Sequence, residues 1–171
     1  TQECEWWELF GHRPYILNRG IGGDTSRGVL DRIEDISTLH PCAVFLMIGT
    51  NDPQGIGLNA AGTAANVSAI VTELVRRTPE IVIYLESVLP SLVPKFNDFC
   101  RDLNVRLTSL ADGRQVVFVN LHPHFLDGDN LLDKRFTTDG LHLSAAGYAQ
   151  WKHHLEASLD QCCSQSWLEQ T

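Results

Sequence analysis

Three short apolar runs constrain this chain more than anything else in it: "CAVFLMI" at Cys42–Ile48, "IVIYLESV" at Ile81–Val88 and "QVVFVNL" at Gln115–Leu121. They are rich in β-branched and aromatic residues and nearly continuous rather than alternating. That is the pattern of strands covered on both faces, as in a parallel sheet. A weaker run, "YILN" at Tyr15–Asn18, reads as an earlier strand. Helical stripes lie between the runs. Ala64, Val67, Ile70, Val71, Leu74 and Val75 form one, with Arg76 and Arg77 at its C-terminus and Pro79 ending it. Phe96, Phe99, Leu103, Leu107 and Leu110 form another that closes near Gly113. Val29, Leu30, Ile33 and Ile36 predict a shorter helix. Tyr148, Trp151, Leu155 and Leu159 predict a last one after Ser144, a good N-cap residue. Strands alternating with helices demand right-handed crossovers, which place helices on both faces. The expected fold is α/β, a three-layer α/β/α sandwich with a mainly parallel sheet.

Size and charge narrow the function. A chain of 171 residues, 43% hydrophobic and 20% charged, with no linker or repeat, reads as one domain over 1–171, with a tail from about 160 to 171. The net charge of −8 comes with no basic cluster beyond Arg76 and Arg77, which argues against nucleic acid or an anionic membrane as partner. No apolar run approaches the ~20 residues of a membrane span. Cys4, Cys42, Cys100, Cys162 and Cys163 are an odd number without C-x-x-C spacing. Free thiols in a reducing, cytoplasmic setting fit them better than a disulfide framework or a structural zinc site. With no initiating Met and no signal peptide, the natural N-terminus is expected to lie ahead of Thr1.

In a parallel sheet, functional residues collect beyond the carboxyl ends of the strands, and three polar motifs fall there. "GIGGDTS" (Gly20–Ser26 region of the chain) precedes a helix and offers either an anion-binding backbone or a tight turn capped by Asp24 or Thr25. "GTND" follows the first long strand, and Asn51 either presents its amide to developing negative charge or caps a turn. "TTDGLH" follows the last strand. A carboxylate three residues from a histidine can fix the imidazole tautomer and leave its far nitrogen as a general base, or simply cap a loop. His122 and His124 in "HPH" have no clear third metal ligand, and "DGDN" at Asp127–Asn130 lacks a calcium loop's remaining ligands and reads as a turn. The Trp6-Trp7 pair reads as packing.

Taken in order, "GIGGDTSRGVLDRI", "GTND" and "TTDGLHLSAAGY" resemble the GDSL or SGNH hydrolases, and within them the small acylhydrolases of the platelet-activating-factor acetylhydrolase catalytic-subunit type. The resemblance runs from about Thr1 to Leu159. It implies a flavodoxin-like sheet, a small acyl ester as substrate and no metal or organic cofactor. It also implies roles for residues: Gly23 supplies an oxyanion-hole N–H, Asn51 its side-chain amide, His142 the general base, and Asp139 the partner that orients it. Gly49 matches the first position of the family's G-x-N-D pattern.

One block of the family's pattern is missing. Its nucleophilic Ser sits in a G-[DN]-S-[LI]-T stretch after the first central strand, and this chain has no such stretch. In the family a Thr stands two places after that Ser and a "W..LFG" pattern follows, so Thr1 in "TQECEWWELFG" resembles that Thr. The Ser and its strand are therefore expected upstream of Thr1, since a sheet without its interior strand leaves unpaired edges. Ser26, Ser87, Ser91 and Ser144 lie near the relevant loops but not on the sharp strand-to-helix turn a nucleophile needs. Thr1 as an N-terminal nucleophile has no other support in the sequence. The expected function is a serine esterase that removes small acyl groups, acetyl above all. The alternative is a non-catalytic binding module on the same fold.

Overall fold

A computed structural model describes residues 4–13 and 15–168, with side chains as far as Asp160. Its centre is a parallel three-stranded sheet, β1 (Ala43–Leu46), β2 (Val82–Glu86) and β3 (Val116–Val119), in the order β1-β2-β3. Ala43 to Leu46 pair with Val82 to Leu85, and Ile83 to Glu86 pair with Val116 to Val119. Each strand is a residue or more shorter at both ends than its apolar run, because the ladder stops where the chain turns into loops at the sheet's two ends. β2 lies in the middle and is buried from Ile83 onward, whereas β1 and β3 are only partly buried edges.

Among the described residues seven α-helices surround the sheet: α1 (Trp6–Leu9), α2 (Ser26–Asp31), α3 (Ile33–Ser37), α4 (Asp52–Gly55), α5 (Ala60–Arg77), α6 (Pro94–Thr108) and α7 (Ala145–Leu168). The Asn59 side chain caps α5 by accepting from Gly62 N–H, and Arg76 and Arg77 close it. The Ser144 hydroxyl accepts from Gly147 N–H at 3.3 Å, as an N-cap of α7 should. The helix expected over Val29–Ile36 is in fact two, α2 and α3. They break at Arg32, whose backbone (φ −110°, ψ 22°) leaves the helical region while its guanidinium binds Asp24. The backbone of the expected tail is helical as far as Leu168, and 169–171 lie outside the described residues.

Two apolar cores give the sandwich its layers. On one face of the sheet, α2, α3, α5 and α6 pack Val29, Ile33, Val67, Ile70, Leu103 and Leu107 against Leu46, Ile83 and Leu85. On the other, α1 and α7 bring Trp6, Phe10, Trp151 and Leu155 against Leu121, Phe125 and Leu132. Trp6 is core, edge-on to Trp151 at 4.9 Å, but Trp7 is exposed.

The expected strand at Tyr15–Asn18 does not form. The segment is a turn and coil, with Tyr15 and Leu17 more than half exposed, because among the described residues no strand lies beside it to complete a ladder. Between it and the free edge of β1 runs a cavity of about 480 Å³. Ile36 and Leu39 wall it on one face and Trp151, Leu155 and Leu159 on the other.

Candidate active site

The loop leaving β1 is shaped by Gly49. Its φ of +115° is open to glycine, and a Cβ there would meet Thr63 Cγ2 at 2.6 Å and Leu103 Cδ2 at 3.0 Å. The turn delivers Asn51 to the carboxyl end of the sheet, where its amide Nδ2 donates to the backbone oxygen of Asp24 at 2.9 Å. Asp24 sits in the loop before α2. Its carboxylate accepts from Arg32 at 2.6 Å and from Thr25 N–H at 2.9 Å. One residue earlier, Gly23 adopts φ +73° with open space where a side chain would project, and its N–H donates to no group among the described residues. Gly23 and Asn51, 28 positions apart in sequence, are thus brought to one place by the Asn51–Asp24 bond. The capping alternative for Asp24 or Thr25 is also realised: Thr25 caps α2 by accepting from Gly28 N–H. One loop does both.

Asp139 and His142 form the second half. Asp139 Oδ1 accepts from the N–H groups of Leu141 and His142, at 3.0 and 2.8 Å, and Oδ2 lies 2.7 Å from His142 Nδ1. These bonds hold the Asp139 carboxyl far below the ordinary carboxylate range, the side-chain bond to His142 contributing most. Nδ1 is therefore the protonated nitrogen facing the acid, and Nε2 is left with a lone pair. Among the described residues nothing is hydrogen-bonded to Nε2, and His142 is 59% exposed, so a proton donor can reach it. The turn is tethered to the loop beyond β2, where Leu92 N–H donates to Gly140 O at 2.9 Å. Both halves therefore sit at the carboxyl end of the sheet. No hydrogen bond joins one half to the other among the described residues.

The remaining candidates have other employment. Ser26 Oγ is bonded to Asp52, Ser87 Oγ accepts from His122 N–H, Ser91 Oγ accepts from Val93 N–H, and Ser144 Oγ donates to Arg135 O. None contacts His142. His122 and His124 face different surroundings: His122 Nδ1 lies 2.9 Å from Val88 O in the core, and burial lowers its pKa, while His124 stacks on His154. Asp127–Asn130 is a turn in which Asp127 Oδ1 accepts from Asp129 and Leu131 N–H. Cys4, Cys42 and Cys100 are free thiols, Cys162 and Cys163 lie beyond the described side chains, and no described helix is long and apolar enough to cross a membrane. Thr1 lies outside the described residues.

Sequence reading passed over Glu86. It is 2% exposed on β2, lines the cavity beside β1, and accepts from Trp151 Nε1 at 2.7 Å. Burial raises its pKa to about 8, against a small lowering by the Trp151 bond. Its signal was available: a lone acid inside an apolar run must be satisfied by a buried partner.

The model of the GDSL-like Lipase/Acylhydrolase family matches residues 3–150. The platelet-activating factor acetylhydrolase IB subunit alpha1 of Pongo abelii is 29% identical over 86% of this chain and 64% of its own length. The alpha2 subunit of Rattus norvegicus is 31% identical over 87% of this chain and 66% of its own. The chain thus spans just under two thirds of the length of these relatives. A Streptococcus pneumoniae protein of known structure superposes with a TM-score of 0.82 at 31% identity, covering 92% of this chain and 78% of that one. A GDSL-like lipase from Bacteroides thetaiotaomicron superposes with a TM-score of 0.74 at 28% identity, over 92% and 83%.

Proposed function

Because the chain belongs to the GDSL-like lipase/acylhydrolase family, we propose that the protein of which it forms part is a serine esterase acting on small acyl esters, acetyl esters first among them. The observation that carries this reading is the Asp139–His142 pair, bonded through Nδ1 with Nε2 free. The nucleophile of this reading is the serine of the family's G-[DN]-S-[LI]-T stretch, a stretch that residues 1–171 do not contain.

His142 Nε2 takes the serine proton as Oγ bonds to the acyl carbon, and Asp139 stabilises the resulting imidazolium. The carbonyl oxygen becomes an oxyanion, met by the Gly23 N–H and the Asn51 amide. The imidazolium then protonates the leaving alkoxide, whose bond to the acyl carbon breaks. A water, deprotonated by His142, attacks the acyl-enzyme and releases the acid, and the proton returns to the serine. No step requires a metal or organic cofactor. The free thiols support a reducing, cytoplasmic setting for this chemistry.

The decisive experiment is hydrolysis of p-nitrophenyl acetate by the protein expressed from its complete coding sequence, followed by a panel of acetylated sugars, lysolipids and thioesters. Turnover that needs both His142 and a Gly-Asp-Ser or Gly-Asn-Ser ahead of Thr1 is expected. A coding sequence without such a serine, or no turnover of any ester, overturns the reading in favour of a binding module.

A further inference from the structure

Of the two buried carboxyls that the chemistry above leaves without a task, Glu86 and Asp52, only Asp52 adjoins the site. Asp52 and Ser26 are both fully buried, and no lysine or arginine pairs with Asp52 among the described residues. Ser26 N–H donates to Asp52 Oδ1 at 2.8 Å, and the Ser26 hydroxyl donates to Oδ2. On the far side, Asn66 of α5 donates from Nδ2 to Ser26 Oγ at 2.9 Å. A carboxyl taken out of water is costly and is kept only where its hydrogen bonds are made, which these donors do.

The position of this chain of bonds is what matters. Asp52 directly follows Asn51, and Ser26 lies three residues after Gly23. The two-point bond between them joins the loop bearing one oxyanion donor to the loop bearing the other, behind the contact of Asn51 with Asp24. Asn66 anchors both to the longest fully described helix of the sandwich. We propose that Asp52, Ser26 and Asn66 are positioning residues of the oxyanion site. They hold the Gly23 N–H and the Asn51 amide in one fixed arrangement, so that both donors point at the oxyanion when it forms.

This rests on the esterase reading, and the test separates the two. In the protein from the complete coding sequence, Ser26→Ala keeps the Ser26 N–H bond to Asp52 but loses the hydroxyl bridge and the Asn66 contact. The expected result with p-nitrophenyl acetate is a fall in kcat of roughly 10- to 100-fold with KM changed by less than about twofold, the signature of misplaced transition-state donors. The shape of the kcat–pH profile should not change. In an Asn51→Ala background the same substitution should cost several-fold less, because part of its effect acts through Asn51. Asn66→Ala, at a half-buried site, should show the same pattern more weakly, and it decides the matter if Ser26→Ala does not fold. A wild type that hydrolyses no ester sinks the esterase reading itself. An active wild type whose Ser26→Ala or Asn66→Ala variant keeps full kcat, or loses activity by the same factor with and without Asn51, overturns the positioning role.

Discussion

The two halves of the site are built in opposite ways. Asp139 and His142 are three residues apart, and the turn between them makes its own geometry: one carboxylate accepts two backbone N–H groups and one imidazole within a single loop. Gly23 and Asn51 come from different loops and meet only because Gly49 can turn where a side chain cannot, because Asp24 receives the Asn51 amide, and because Ser26 and Asp52 are locked together underneath. The Asp139–His142 pair is local. The meeting of Gly23 with Asn51 is an assembly, and its alignment depends on packing many residues away. A local element should respond to substitution at its own residues, whereas an assembled one should respond also to changes at its supports.

The largest expected effect tests the local half. His142→Ala removes the base outright and should lower kcat on p-nitrophenyl acetate by roughly 10⁴-fold or more, with the fold and melting temperature nearly unchanged because the side chain is exposed. Retention of full activity would show that the proton goes elsewhere.

Next comes the assembled half. Asn51→Ala should reduce kcat by roughly 10²–10³-fold, with little change in KM, since the amide acts on the oxyanion rather than on the bound ester. Gly49→Ala touches no reacting group, yet its Cβ would press on Thr63 and Leu103 in a strained backbone. It should cost roughly 1–3 kcal/mol of stability and lower kcat as well. An unfolding curve and a rate measured on the same sample check both. Loss of stability without loss of rate would mean that the assembled half is less dependent on its supports than the contrast implies.

The same contrast explains what the sequence disclosed. The three buried strands were legible because burial on both faces leaves an unbroken apolar run. Asp139 and His142 were legible because their spacing is their geometry. Gly23 and Asn51 could be named only by the order of motifs, since nothing in "GIGGDTS" or "GTND" alone separates a donor from a capped turn, and in the structure Thr25 caps while Gly23 stays free. Tyr15–Asn18 has the composition of a strand, but a strand exists only by pairing, which composition does not carry. The break at Arg32 and the Ser26–Asp52 bond were equally hidden, because each depends on a partner remote in sequence.

A further test concerns how the local half is moored. The turn bearing His142 runs into α7, and α7 is fastened to the sheet by the bond from Trp151 to Glu86. Glu86 titrates near 8 in the fold, above its ordinary value of 4.5, so the folded state keeps a proton that the unfolded chain has released between those values. Its contribution to stability is therefore full below pH 4.5, declines across that window and is lost as pH rises through 8. His122, held neutral by burial, works in the opposite sense at lower pH, which is why the informative quantity is a difference between variants. Glu86→Gln keeps an acceptor for Trp151 and carries no charge, so it should be more stable than the wild type at pH 9 by a few kcal/mol, with the difference vanishing below pH 4.5. Parallel stability curves for the two proteins across pH would mean that Glu86 does not hold its proton in the fold.

The smallest effect is confined to the turn itself. The hydrogen bonds from His142 and Leu141 keep Asp139 ionised well below the usual carboxylate range, so whatever these bonds contribute persists as pH falls past 3.8 and is lost only below it. Because both side chains are more than half exposed, global stability should barely register this. The carboxyl resonance of Asp139, followed by NMR from pH 6 downward, should stay unprotonated as pH falls past 3.8 while the protein remains folded. In His142→Ala, which removes the largest of the bonds, Asp139 should titrate at higher pH while the backbone bonds from Leu141 and residue 142 persist. If the titration of Asp139 were unmoved by that substitution, the turn would owe its form to the backbone alone, and the pairing of acid with base would be incidental to it rather than the reason the loop takes this shape.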